Sequence, residues 1–154
     1  MRRSEKEMTE GEVCEFLRTM NAGVLCFSDN SEAYGVPVHF VYDADRRAIY
    51  FHGAREGRKA GLISSGSRVC FTVFEQQGLK SNELPCKIGT HYRSVIAKGF
   101  IGEVTDPQEK QQALSAMVRS LSENRQPISD EGSQKTLVSR LDISELSGKR
   151  DTKK

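Results

Sequence analysis

The first part of the chain carries the hydrophobic spacing of one amphipathic helix. Thr9 followed by Glu12 is a capping-box pattern, so the helix is predicted to begin just after Thr9. Residues 21–23, Asn-Ala-Gly, are typical of a helix end. Four apolar side chains recur between these signals at intervals of three and four and share one helical face: Val13, Phe16, Leu17 and Met20.

The following eighty residues are dominated by alternating apolar and polar positions, the pattern of strands that bury one face. Polar turns at 29–32 and 43–46 separate the first three strands, and residues 53–65 predict a loop that opens a short helix. Gly99 and Gly102 indicate a bend or a bulge in the last of these strands. The predicted strands are residues 23–27, 34–42, 48–52, 68–75 and 92–104.

Three further segments complete the pattern. Residues 76–90 contain Gly78, Pro85 and Gly89 and predict an irregular loop, of a length that often carries function. A second helix is predicted to begin after Asp106-Pro107, with an apolar stripe that includes Leu114 and Met117. A last strand is predicted at 137–143. This order of elements is typical of a mostly β, largely antiparallel barrel with helices attached.

Length, charge and hydropathy exclude several classes of protein. The 154 residues are enough for one domain, predicted over residues 1–148 with a charged tail at 149–154. Lys and Arg total 23 and Asp and Glu total 21, a formal net charge of +2 that argues against a nucleic-acid clamp. The apolar runs are far shorter than the roughly 20 residues of a membrane-spanning helix. Neither a nucleic acid nor a membrane is therefore an expected partner.

The cysteines give little sign of chemistry. Cys14, Cys26, Cys70 and Cys86 include no C-x-x-C pair, which disfavours a zinc ribbon or a thioredoxin-type site. Only Lys87 adjoins Cys86 as a charge that could lower the pKa of its thiol, so a structural role is favoured there. The first twelve residues lack the apolar core of a secretory signal, and we expect a cytoplasmic protein with reduced thiols.

The most informative candidate for binding is the basic turn at residues 53–60. Gly53 and Gly57 relax the chain, and Arg58 and Lys59 fall at the start of the predicted short helix, an arrangement that suits a phosphate. The turn is not a Walker loop, because Gly57 is followed by Arg rather than by Lys-Ser or Lys-Thr. From these residues alone, a solvated basic turn and a phosphate site are equally favoured.

The three histidines, His39, His52 and His91, lie in separate segments without metal-ligand spacing, so no metal site is predicted. His52 has the strongest claim to a site because a predicted strand enters the basic turn there, although in isolation a structural role is favoured. Its ordinary pKa near neutrality would let it donate a hydrogen bond or a proton. Ser94 lies within a strand pattern and not in a G-x-S-x-G elbow, so serine nucleophile chemistry finds no support.

The ordered set of motifs resembles the FMN-binding split-barrel family related to pyridoxamine 5′-phosphate oxidase. Within that family the chain is most similar to the nitroimidazole-resistance branch, whose members open with Met-Arg-Arg as this chain does. Similar segments at 109–114 and 143–149 extend the resemblance over nearly the whole sequence. The motifs that carry it are Gly35–Tyr42, Ile49–Ala54 with Gly57–Ala60, and Tyr92–Ile96 with Lys98-Gly99.

The resemblance implies a six-stranded antiparallel split β-barrel with flanking helices, and a homodimer with FMN in clefts at the subunit interface. Arg58 and Lys59 would hold the FMN phosphate, and His52 would be the catalytic residue. Val38, His39 and Phe40 would line the edge of the flavin ring largely through their backbone groups. Ser94, with Arg93 beside it, would approach the polar edge of the ring or the phosphate. The implied cofactor-binding residues are Val38, His39, Phe40, His52, Gly53, Gly57, Arg58, Lys59, Arg93 and Ser94.

The implied activity is that of an FMN-dependent oxidoreductase. It would reduce small nitroaromatic or other planar acceptors with a nicotinamide donor. A non-catalytic flavin-binding protein for storage, sensing or regulation is the alternative, and a cleft that holds haem or a deazaflavin is a third. Residues 147–150, Ser-Gly-Lys-Arg, lack the substrate-phosphate arginines and histidine of true pyridoxamine 5′-phosphate oxidases, so the oxidase reaction itself is not expected.

Overall fold

Six long strands form the framework of the protein, and four helices flank them in a computed structural model that describes residues 4–152. The helices are α1 (Glu10–Thr19), α2 (Arg58–Ser64), α3 (Pro107–Leu121) and α4 (Asp130–Lys135), with short 3₁₀ turns at Ser4–Lys6 and Pro85–Lys87. The strands are β1 (Ala22–Asp29), β2 (Glu32–Asp43), β3 (Ala48–Ala54), β4 (Arg68–Lys80), β5 (Gly89–Glu103) and β6 (Thr136–Asp151).

The strands close into one antiparallel barrel in the order β1-β2-β3-β6-β5-β4. Strands that follow one another directly pair as antiparallel hairpins: β1 with β2 across residues 30–31, β2 with β3 across 44–47, and β4 with β5 across 81–88. α2 carries the chain from β3 to β4, which then closes the barrel against β1. This confirms the predicted six-stranded antiparallel barrel with flanking helices.

Aromatic and branched side chains from alternate strand positions fill the barrel. Phe71 lies at its centre, with ring centroids 4.9 Å from Phe40 and 5.1 Å from Phe51, both in edge-on geometry. α1 closes one end by burying Phe16 and Leu17 completely. A second apolar cluster packs α3 against the outside of β3 and β6, so the fold buries both faces of these two strands.

The predicted start of α1 is confirmed in detail. The Thr9 side chain accepts a hydrogen bond from the Glu12 backbone N–H at 3.3 Å, and the Glu12 carboxylate accepts one from the Thr9 N–H at 2.8 Å. Both bonds of the capping box are therefore present. Asp106 caps α3 in the same way by accepting a 2.7 Å bond from the Glu109 N–H.

The loop predicted at 76–90 is wrong at both ends, whereas residues 81–88 connect β4 and β5 as predicted. β4 continues to Lys80 and β5 begins at Gly89, so this segment is the outer part of a long hairpin. A bulge between Gln76 and Gly78, where Gly78 has φ +149°, shifts the register and hides the strand pattern from the sequence.

The charged tail predicted from residue 149 is also corrected, since β6 runs on to Asp151 instead of ending near residue 143. Lys149 pairs with Ser94 and Arg150 with Arg93 in the β5–β6 ladder. Charged and apolar positions alternate only weakly over residues 144–151. The reason is that α1 and the 3₁₀ turn at Ser4–Lys6, rather than the barrel interior, cover this end of β6. The short helix α4 was not predicted.

Asp151 fastens the end of β6 and supplies a pH-dependent contribution to stability. Lys6 and Lys80 both form ion pairs with its carboxylate, which lowers its pKa to about 2. A carboxyl whose pKa is lowered by folding stabilises the fold above its unfolded pKa, and the contribution is lost as the pH falls from about 4 to 2. We expect Asp151→Asn to lower the free energy of unfolding by about 1–2 kcal/mol at pH 7, and by little at pH 2. Denaturant unfolding at both pH values measures this, and an equal loss at both would contradict the assignment.

Candidate functional site

The barrel has a split between β2 and β3, and most of the predicted site residues lie beside it. The two strands pair only from Phe40–Phe51 to Asp43–Ala48. Beyond that point the first part of β2 stays with β1, whereas the end of β3 stays with β6. The split is therefore a place where β2 has backbone groups without a neighbouring strand.

His39 is the residue of the Val38–His39–Phe40 segment whose backbone is directed away from β1, on the side of the split. The Phe40 N–H donates to the Asn21 carbonyl at 3.0 Å, and strand alternation gives Val38 the same direction. The side chains of Val38 and Phe40 are buried in the core. Of the three residues predicted to contact the flavin ring through their backbone, His39 is therefore the one whose backbone groups face the split.

Lys59 lies across Gly53 at the end of β3. A Cβ atom on Gly53 would come within 2.7 Å of the Lys59 Nζ, so the absence of a side chain there makes room for the ammonium group. Lys59 is half-buried, and loss of hydration lowers its pKa. It has no carboxylate within ion-pair distance among residues 4–152. This ammonium group can therefore accept an anionic partner.

Arg58, the neighbour of Lys59, already has anionic partners. Its guanidinium donates to Asp29 at 3.0 Å and to Glu32 at 2.6 Å, and it stacks over the Tyr34 ring at 4.6 Å from the centroid. These contacts tie α2 to the β1–β2 turn. α2 has seven residues and begins after Gly57, whose φ is +100°. Of the two predicted phosphate residues, Lys59 has the stronger claim because its charge is not neutralised.

His52 lies directly before Gly53, on the outward face of β3. Partial loss of hydration, the Lys59 ammonium and the His39 imidazole all lower the pKa of His52, in that order of importance. The ring is therefore neutral at pH 7, with one nitrogen able to donate and the other able to accept. His39 is exposed, and its Nδ1 lies 3.2 Å from the Asn21 carbonyl oxygen.

The neutral state of His52 can be measured directly. We expect its imidazole to titrate below the ordinary value of about 6.5, and Lys59→Met to raise that pKa by removing a neighbouring positive charge. Histidine resonances followed by NMR across pH 4–8 give both values, with His91 as an internal reference. An unchanged His52 titration in Lys59→Met would contradict the proximity of the two groups.

Among residues 4–152, no hydrogen bond or ion pair links Arg93 or Ser94 with His52 or Lys59. His52 pairs with Val138 on β6, whereas Ser94 pairs with Lys149, eleven residues further along the same strand. That separation is about 36 Å of strand contour. Arg93 instead bonds Glu75 at 2.8 Å and covers the Phe16 ring.

The chemistry-bearing side chains around the split are few. Residues 4–152 contain no group of three or more His, Cys, Asp or Glu side chains that could hold a metal ion. No helix in the same range is long and apolar enough to cross a membrane.

Sequence reasoning missed an apolar pocket of about 350 Å³ that has His52 in its wall. The α3 stripe forms one side of it, but α4 on the other side has no hydrophobic pattern to predict it.

Comparison with solved structures finds the same fold in several proteins. A candidate 5-nitroimidazole antibiotic resistance protein from Bacteroides thetaiotaomicron matches with a TM-score of 0.77 and 22% identity, over 94% of this chain and 86% of that one. The flavocytochrome Anf3 from Azotobacter vinelandii matches with 0.85 and 21%, over 99% and 72%. The FAD and heme binding protein from Mycobacterium smegmatis matches with 0.86 and 16%, over 95% and 73%.

Comparison with curated proteins finds no match. A family model described as pyridoxamine 5′-phosphate oxidase, however, matches residues 9–150. That range includes all six strands and every predicted site residue. This chain therefore belongs to the pyridoxamine 5′-phosphate oxidase family and has the split-barrel fold of its flavoprotein relatives.

Proposed function

We propose that this protein is a flavin-dependent oxidoreductase that binds FMN beside the β2–β3 split. The observation that carries the proposal is Lys59, a half-buried ammonium group beside a neutral histidine and without a carboxylate partner among the described residues. A lysine in such a place gains a charge-assisted hydrogen bond when a phosphate binds. The donor set therefore fits the phosphate of a flavin nucleotide.

The remaining site residues have two roles, cofactor binding and proton transfer. The outward backbone groups of His39 offer a donor and an acceptor to the polar edge of a planar ring. The neutral His52 can donate a hydrogen bond to a bound acceptor, or pass it a proton. The chemistry supplied by a bound flavin would be hydride transfer, from a nicotinamide donor to a nitroaromatic or another planar acceptor.

The proposal includes a homodimer, because among the described residues of one chain no hydrogen bond or ion pair links Arg93 or Ser94 with Lys59. The outer face of β4 and β5 exposes three large apolar side chains, Phe74, Ile96 and Phe100, at 58%, 42% and 59%. Large apolar groups exposed on one sheet face are typical of a protein interface. Light scattering during gel filtration tests the dimer, and a monomeric mass for the flavin-loaded protein would contradict it.

The cofactor is identified by the visible spectrum of the purified protein and by chromatography of the material released on heating. We expect FMN, whereas FAD, haem or a deazaflavin would contradict the assignment. Relatives named for FAD and for haem make this comparison necessary. Anaerobic oxidation of NADH or NADPH with a 5-nitroimidazole then tests the reaction. Bound FMN without donor oxidation by any acceptor would favour the non-catalytic flavin-binding function.

A further inference from the structure

A pocket of about 350 Å³ lies between α3, α4 and the end of β3. Its wall from α3 consists of Leu114, Met117, Val118 and Leu121, and Ile128 from the connection before α4 faces them. His52 closes the side next to Gly53 and Lys59. The pocket therefore adjoins the proposed flavin site through His52, and the rest of its wall comes mainly from α3, α4 and the chain between them.

The chemistry of the pocket selects against charged ligands. Among the described residues that line it, His52 alone is ionisable, and its imidazole is neutral at pH 7 because its pKa is lowered. A charged ligand would lose its hydration there without gaining an opposite charge. The aliphatic side chains and the Met117 thioether instead favour an apolar ring, since sulfur packs well at ring edges.

Hydrogen bonding leaves one free polar group in the pocket. The Thr136 hydroxyl donates to the Gly132 carbonyl at 2.8 Å. The Ser122 hydroxyl donates to the Val118 carbonyl at 3.2 Å and accepts from the Asn124 N–H at 3.2 Å. The His52 ring has no hydrogen-bond partner within residues 4–152. A ligand can therefore satisfy it with one oxygen that accepts from the imidazole N–H.

The volume indicates the size of the ligand. An apolar cavity of about 150 Å³ holds a benzene molecule. The pocket has about 350 Å³ and is open to solvent, so two fused rings fit in it. A neutral bicyclic ring with a carbonyl oxygen at its edge meets all three conditions of size, charge and hydrogen bonding.

We propose that this pocket binds an uncharged two-ring aromatic carbonyl compound of the quinone class, which is the electron acceptor of the reaction. This inference rests on the proposed function for the role of the ligand as acceptor, but not for its binding. The apolar rings lie against the α3 side chains, and the carbonyl oxygen accepts a hydrogen bond from His52. Acceptors of this class are expected to bind more tightly than single-ring nitroimidazoles.

The test uses the absence of tryptophan from the sequence. Leu121→Trp places a single tryptophan at the mouth of the pocket, where Leu121 is 44% exposed, and its fluorescence is excited apart from that of the four tyrosines. We expect 2-methyl-1,4-naphthoquinone to quench it saturably, with one molecule bound per chain. Leu84→Trp, in the connection between β4 and β5 where Leu84 is 52% exposed, is the matched control and should show only linear collisional quenching.

A second variant locates the binding. Val118→Phe in the Leu121→Trp background fills the pocket and should weaken naphthoquinone binding at least about tenfold. Equilibrium dialysis with the unmodified protein, in the presence and absence of FMN, keeps the test independent of both substitutions. Linear quenching of Leu121→Trp with no retention in dialysis would overturn the proposal.

The outcomes separate this inference from the proposed function. Displacement of the naphthoquinone by FMN would overturn the inference, because the pocket would then belong to the cofactor. FMN binding without naphthoquinone binding would also overturn it while leaving the flavin site intact. Naphthoquinone bound by a protein that does not bind FMN would support the pocket and contradict the proposed function.

Discussion

Lys59→Met is expected to weaken FMN binding about 100-fold while leaving the barrel folded. The lysine ammonium lies over Gly53, partly out of water and without a carboxylate partner in the described chain. A hydrogen bond to a charged group contributes about 1.5–3 kcal/mol, which corresponds to this loss. Quenching of FMN fluorescence on binding measures it. Denaturant unfolding of the flavin-free protein should show no loss of stability, because methionine replaces a charge that folding partly desolvates.

The control for this prediction is Lys87→Met, at a lysine outside the site and the proposed dimer face. Lys87 is exposed in the 3₁₀ turn between β4 and β5, away from the split, and its replacement should leave FMN affinity unchanged. Gly53→Ala tests the same geometry without removing the charge, because its methyl group must push the lysine ammonium aside. We expect an intact fold with weakened FMN binding. If Lys59→Met bound FMN as tightly as the parent protein, the phosphate assignment would be wrong.

Gly99→Ala is expected to cost about 3–5 kcal/mol of stability, the largest loss of any small substitution in the barrel. A Cβ atom there would overlap the backbone carbonyl oxygen of Asp142 and lie 2.9 Å from its carbonyl carbon. Gly99 lies at the register shift between β5 and β6, where the strands approach closely. Backbone atoms cannot turn aside as a flexible side chain can, so the two strands must separate.

Gly102→Ala provides the comparison for this strand. Gly102 lies three residues further along β5, and a Cβ atom there meets no atom within 4 Å. We expect its effect on the free energy of unfolding to stay within about 0.5 kcal/mol. Urea unfolding of both variants decides the matter, and equal stabilities would show that β5 and β6 do not approach at Gly99 as described.

The sequence predicted those parts of the fold that depend on local chemistry. The capping residues of α1 and α3 and the strand alternation before residue 76 are set by neighbouring residues, and all were confirmed. The hairpin beyond Gln76 was missed because one bulge reverses which side chains face inward. The end of β6 was missed because its partners, α1 and the N-terminal turn, are distant in sequence.

The candidate site was predicted in part for the same reason. Gly53, Arg58 and Lys59 lie within a few residues, so their common location follows from the sequence. The neutralisation of Arg58 by Asp29 and Glu32 depends on the β1–β2 turn reaching α2, which no local pattern encodes. The separation of Arg93 from His52 is a property of strand register along β6.

The most direct test of the flavin site is a comparison of FMN with riboflavin, which lacks the phosphate, in the parent protein and in Lys59→Met. Isothermal titration gives the four dissociation constants. We expect the parent protein to bind FMN about 100-fold more tightly than riboflavin, and the variant to bind the two within about threefold of each other. Equal binding of both ligands by the parent protein, or an undiminished preference for FMN in Lys59→Met, would contradict the assignment.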